Sequence, residues 1–157
     1  MIMYFNGAHA HAHREVRMKR SLLLASVLLM GLGLATARAD DALQVLQDTG
    51  KAWATAYNAG TPKGIVALYA DEAIFNSGVL GALKGKAAIE KAVAEQMQKT
   101  PTITVTPKEA HMRGEVLWGV GDFAFTNGPS GHYGFTMVKD TTGWRIVMHV
   151  SNVTPPK

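Results

Sequence analysis

Cysteine is absent from the 157 residues. The chain therefore has no disulfide, no thiol nucleophile, no cysteine-ligated zinc and no iron–sulfur cluster. Whatever holds it folded is its apolar core. With 47% hydrophobic residues it has the material for one.

Excess charge is absent from most of the chain as well. The formal net charge is +4, but Arg14, Arg17, Lys19, Arg20 and Arg38, set against the single Glu15, carry all of it. From Asp40 onward 11 basic residues meet 11 acidic ones. Residues 40–157 have no surplus of positive charge with which to bind phosphates, and this excludes a nucleic-acid partner.

A membrane-spanning run is missing too. The uncharged stretch from Ser21 to Ala37 is 17 residues long and is diluted by Gly31, Gly33 and Thr36. A span needs roughly 20 predominantly apolar residues. The stretch instead has the three parts of a secretory signal peptide. Met18-Lys19-Arg20 is a basic start, Leu22 to Leu34 an apolar middle, and Ala37-Arg38-Ala39 a small-x-small cleavage signal. The cut falls between Ala39 and Asp40. Three segments follow: 1–17 as an upstream extension before Met18, 18–39 as the signal peptide, and 40–157 as the working domain. The protein is expected to be exported to a periplasm or out of the cell, with no stable membrane anchor after cleavage. His9, His11 and His13 alternate in the extension. They read either as a metal tract or as translation from a start codon placed too early.

In the working domain, hydrophobic periodicity changes once. Asp40-Asp41 can cap a helix. Leu43, Leu46, Trp53, Ala56 and Tyr57 share one face of it, with Thr49 and Gly50 inward between them. Gly60 reads as its left-handed cap. Thr61 as N-cap and Pro62 at the first helical position predict a short second helix, with Ile65, Val66, Leu68 and Tyr69 inward. Ala73–Asn76 read as a strand, Ser77–Gly85 as a loop. Residues 86–99 form a third helix with Ile89, Val93, Gln96 and Met97 inward. From Thr102 the period is two. Strands are predicted over 102–106 (with an edge or bulge at Pro107), 111–120, 122–126, 132–139 and 144–153. A break is expected near Gly119 and Gly121, and turns at 127–131 and 140–143. Helices followed by antiparallel strands make an α+β fold. Three helices covering one side of a curved sheet leave a cone-shaped cavity.

The order and wording of these elements resemble the NTF2-like superfamily, in its SnoaL-like and ketosteroid-isomerase-like branches. The matching stretches are Ala56-Tyr57-Asn58-Ala59-Gly60, Ile65 through Ala73, Lys84-Gly85-Lys86-Ala87-Ala88-Ile89, and Gly143-Trp144-Arg145-Ile146-Val147-Met148-His149-Val150-Ser151. The resemblance implies an NTF2-like cone of three N-terminal helices on a curved, mainly antiparallel sheet, often paired as a homodimer. It does not imply one activity, because this scaffold carries many. Its ketosteroid isomerases use an Asp base after the first strand, with a first-helix Tyr and a protonated late-strand Asp as oxyanion donors. By position these fall on Ser77, Trp53 and near Phe135. A serine cannot take a proton from carbon without a partner base, and Phe135 can do neither job. The isomerase reaction is not expected.

His149 is the remaining candidate for chemistry. Ser151 lies two residues on, hence on the same strand face, and a His-x-Ser ending is similar to one in SnoaL-like relatives. A functional reading makes His149 a general acid or base or a hydrogen-bonder to a ligand, with Ser151 and Asn76 orienting a polar group and His132, on the preceding hairpin strand, expected near it in the pocket. The structural alternative is a satisfied interior histidine. Trp53, Tyr57, Tyr69, Phe75 and Phe135 line an apolar pocket in the functional reading and are simply core in the other. Asp122, after Gly121, reads as a catalytic carboxylate in the functional reading and as a turn residue in the other. His111, His132 and His149 have no metal-ligand spacing such as His-Glu-x-x-His, so neither metal nor cofactor is expected. Two functions stay open: a non-catalytic, dimeric domain holding a small apolar ligand, or a SnoaL-like enzyme (isomerase, cyclase or dehydratase type) working through His149.

Overall fold

Helix α1 covers residues 41–58 in the computed structural model, which describes residues 41–100 and 102–155. The signal peptide, its cleavage point at Ala39 and Asp40, and the upstream extension lie outside the described residues. Leu46, Trp53 and Tyr57 of α1 are buried, with Thr49 and Gly50 inward between them as the stripe predicted. Gly50 costs the helix roughly 1 kcal/mol against Ala, but it seats the helix on the sheet. A Cβ there would stand 3.2 Å from Val105 Cγ1 and 3.3 Å from Pro107 Cγ.

Helix α2 is Pro62–Val66, with Ile65 and Val66 buried. Thr61 makes no side-chain cap. Its hydroxyl donates instead to the Ala56 carbonyl at 2.9 Å, tying α2 to the end of α1. Tyr69, expected on this helix, opens strand β1, Tyr69–Ser77. Strand β2, Gly81–Lys84, occupies part of the expected loop and pairs antiparallel with β1. Helix α3 is Gly85–Lys99 and buries Ile89, Val93 and Met97.

Four long strands follow: β3 Ile103–Arg113, β4 Val116–Phe125, β5 Ser130–Asp140 and β6 Gly143–Val153. The sheet order is β2-β1-β6-β5-β4-β3. Every neighbouring pair is antiparallel except β1 with β6. The fold is the α+β cone expected, with a six-stranded mixed sheet. Pro107 lies at a register shift in edge strand β3, where a missing N–H is tolerated.

One strand boundary differs from the sequence reading. β4 runs unbroken through Gly119 and Gly121, and the chain turns instead at Gly114, whose φ is 61°. Gly119 and Gly121 are sites of close approach rather than turns. A Cβ at Gly119 would lie 2.6 Å from Leu46 Cδ2, and one at Gly121 2.5 Å from Tyr133 Cε1. The inner sheet face and the helices enclose the core.

Candidate functional site

A cavity of about 80 Å³ opens between the helices and the inner sheet face. It is lined almost wholly by apolar side chains, with Trp53 and Tyr57 from α1, Phe75 from β1, and Phe135 and His149 from β5 and β6 among them. Strand alternation puts these residues there. Phe75 pairs with His149 across β1 and β6, and Phe135 pairs with His149 across β5 and β6. The three inward side chains form a layer. The Phe75 ring stacks on the imidazole with centroids 3.9 Å apart and planes 3° from parallel. Phe135 meets it edge-on at 4.6 Å.

Alternation also decides which predicted residues are excluded. Asn76 neighbours Phe75 and therefore points to the outer face, where it is exposed. His132 neighbours Tyr133 and is likewise outside, its side chain 73% exposed. It does not approach His149. Its Nδ1 lies 2.8 Å from Asp122 Oδ1, and Lys108 Nζ lies 3.3 Å from Oδ2 of the same carboxylate. His132, then Lys108, hold the Asp122 carboxyl below the usual range. Asp122 is thus a mid-strand surface residue rather than a turn. Ser151 lines the cavity as expected, two residues beyond His149.

Tyr69 is fully buried and stands behind the lining, where it organises His149. Trp53 Nε1–H can only donate, and it donates to Tyr69 Oη at 3.2 Å. Tyr69 Oη lies 2.6 Å from His149 Nδ1. Among the described residues these are the two partners of the hydroxyl. A proton on Nδ1 would face the phenol hydrogen with no acceptor left for it, costing about 1–3 kcal/mol. Tyr69 therefore donates to Nδ1, and the imidazole proton resides on Nε2. Burial holds the His149 pKa down at about 3, so the ring is neutral at ordinary pH. Burial likewise pushes the Tyr69 phenol well above its usual value.

Nε2–H is then the group His149 presents. Among the described residues no side chain or backbone group hydrogen-bonds it. The ring lines the cavity. Ser77, 7% exposed, is the second polar group deep in the lining. Its Oγ accepts the backbone N–H groups of Val79 and Leu80, each at 3.2 Å. Both lone pairs are engaged and the hydroxyl hydrogen is left to donate. Gln96 and Ser151 are further polar members. The Gln96 amide nitrogen donates to Thr100 Oγ1 at 2.7 Å. The Tyr57 hydroxyl is also spoken for, donating to the Thr100 carbonyl at 2.8 Å. Among the described residues no three His, Asp or Glu side chains converge to hold a metal ion.

Ser77 and Tyr133 are among the lining residues that the sequence reading does not assign to the pocket. The Tyr133 hydroxyl is buried with no hydrogen-bond partner among the described residues. The signal for both was the period-two pattern, which puts Ser77 with Phe75 and Tyr133 with Phe135.

Ser77, Trp53 and Phe135, at or near which the resemblance to ketosteroid isomerases sets that group's catalytic positions, all border this one cavity. No curated protein matches the chain in sequence. Solved structures do match it in shape. A ketosteroid isomerase-like protein from Erwinia carotovora is 18% identical, with a TM-score of 0.61 over 73% of this chain and 97% of that one. An NTF2-like protein of unknown function from Pseudomonas putida is 14% identical, with a TM-score of 0.63 over 76% and 91%. A domain of unknown function with a cystatin-like fold from Nostoc punctiforme is 12% identical, with a TM-score of 0.64 over 72% and 77%. At these identities the likeness concerns the fold alone. The profile of the SnoaL-like domain matches residues 51–153. With the cone, its strand order and that match together, the chain belongs to the SnoaL-like family within the NTF2-like superfamily.

Proposed function

We propose that this protein is an exported, non-catalytic binding domain that holds a small apolar molecule in its cone and pairs with a second copy through its sheet. The observation that carries the ligand reading is the lining. It is almost entirely apolar, and its one histidine, His149, is kept neutral by burial. Such a lining with a few convergent polar groups suits an uncharged ligand.

Pairing is supported by the opposite face. Ile74, Trp118, Val120, Met148 and Val150 are large apolar residues left 38–52% exposed. Register makes them neighbours: Ile74 lies beside Met148, and Gly134 stands between Val120 and Val150. A contiguous apolar patch of this kind marks an interaction surface. Export is supported by the three-part leader before Asp40.

Native mass spectrometry of protein taken from its host's envelope tests all three parts. The expected species is a dimer of chains beginning at Asp40 with a neutral small molecule attached. Ligand-free protein that also fails to bind ethylbenzene and acetophenone overturns the ligand reading. A single chain overturns pairing, and a retained leader overturns export.

One observation favours a second reading, an enzyme acting through His149. The imidazole is buried in the cavity with a short hydrogen bond to Tyr69. In that case the chemistry would begin from Nε2–H donation, since the Nδ1 lone pair is already engaged. Turnover of a carbonyl substrate, abolished in His149→Phe, would establish it.

A further inference from the structure

We infer that the cavity is a two-donor clamp for a carbonyl-type oxygen, so that its ligand is an uncharged ring compound bearing an acceptor rather than a hydrocarbon, an alcohol or a carboxylate. This inference rests on the cavity being a ligand site, as proposed above.

The clamp consists of His149 Nε2–H and the Ser77 hydroxyl. Both side chains are more than nine-tenths buried, at 5% and 7% exposure. They sit on adjacent strands of one face, because Phe75 pairs with His149 and Ser77 pairs with Ser151. Each is committed as a donor by its other contacts. His149 Nδ1 is occupied by Tyr69, which Trp53 in turn orients. Ser77 Oγ accepts two backbone N–H groups. Neither residue therefore has a lone pair to offer a ligand.

Selectivity follows from that commitment. A ketone oxygen has two lone pairs and satisfies both donors. An alcohol can also accept, but its own hydrogen finds no acceptor on either residue. A hydrocarbon leaves both donors unpaired, and buried unpaired donors are costly. A carboxylate would bring a full charge into a lining with no cation to pair it. Among the described lining residues there is no Lys or Arg. The room, about 80 Å³ with an open mouth near Val79, suits a single ring.

Tyr69, behind the lining, is the positioning residue in this scheme: held by Trp53, which itself borders the cavity, it fixes which nitrogen of His149 carries the proton. That role has its own readout. Long-range proton–nitrogen NMR on the full chain labelled at histidine should show His149 with Nε2 protonated and Nδ1 bare, unchanged between pH 5 and pH 8. Tyr69→Phe should release the ring into a mixture of tautomers.

Binding is tested with a matched set: ethylbenzene, acetophenone, 1-phenylethanol and benzoate, titrated against the full chain by following tryptophan fluorescence. Acetophenone is expected to bind about tenfold or more tighter than the other three. Ser77→Ala and Tyr69→Phe should each erode that preference, with acetophenone affinity falling and ethylbenzene affinity not falling in Ser77→Ala, where one unpaired donor is removed. If ethylbenzene and acetophenone bind equally, the clamp is wrong while the ligand site stands. If none of the four binds, the ligand reading fails and takes the clamp with it. A proton found on Nδ1 of His149 overturns the clamp whatever the titrations give.

Discussion

Tyr69 and His149 lie 80 positions apart in the chain and share a 2.6 Å hydrogen bond in the interior. Trp53 completes the line from the other side at 3.2 Å. Removing the middle member should therefore leave a buried donor and a buried acceptor without partners. Tyr69→Phe is expected to lower stability by about 2–6 kcal/mol, since each of the two orphaned buried groups costs about 1–3 kcal/mol. Urea unfolding reads this directly, and a loss under 1 kcal/mol would mean the line carries no weight.

The neighbouring tyrosine should behave in the opposite way. The Tyr133 hydroxyl is buried with no partner. Tyr133→Phe deletes an unsatisfied group and keeps the ring that packs over Gly121. The variant should be as stable as the parent, or more stable by up to about 1 kcal/mol. A clear loss of stability would reveal a hydrogen bond that the geometry lacks.

His149 makes stability depend on pH. In the unfolded chain its pKa is about 6.5, and in the fold it is about 3. Above pH 6.5 both states are neutral and nothing is lost. As pH falls from 6.5 towards 3, the unfolded chain takes up a proton that the fold refuses, and stability declines. The slope approaches about 1.4 kcal/mol per pH unit for one fully buried group. Urea midpoints measured across that window should fall, and His149→Phe should flatten the curve there. A parent curve already flat between pH 6 and pH 4 would contradict the buried, neutral ring.

Alternation explains how much of this was readable beforehand. β5 and β6 were legible because Tyr133, Phe135 and Met137, then His149 and Ser151, repeat at two. The same rule excludes Asn76 and His132 from the pocket, since Phe75 and Tyr133 are their immediate neighbours. Both could not face inward with those aromatics, and the sequence already contained that conflict. Gly119 and Gly121 misled for another reason. A glycine that ends a strand and one that admits a neighbouring side chain look alike until Leu46 and Tyr133 are seen against them. β2 has no alternation to find in Gly81–Lys84. Tyr69 could not be linked to His149, because a contact across 80 residues leaves no local trace.

The outer sheet face offers a separate test. Trp118 is 44% exposed and Val120 52%, and both point away from the cavity. Charging them, as in Trp118→Glu with Val120→Lys, should convert a dimer to single chains on a sizing column. Ligand affinity should stay within about twofold, because the two faces share no side chain. Unchanged mass would remove the sheet from consideration as the pairing surface.

The parallel pairing of β1 with β6 has a consequence for assembly. The strand that carries His149 is inserted between β1 and β5, so the first and last strands of the sheet sequence meet side by side. Until the final strand arrives, β1 lacks its inner neighbour, Tyr69 has no imidazole to hold and the cone has no floor. Contacts of such long sequence separation form late and slowly. A partly assembled chain therefore has no closed cavity, and the interior site exists only once the last strand of the chain is in place.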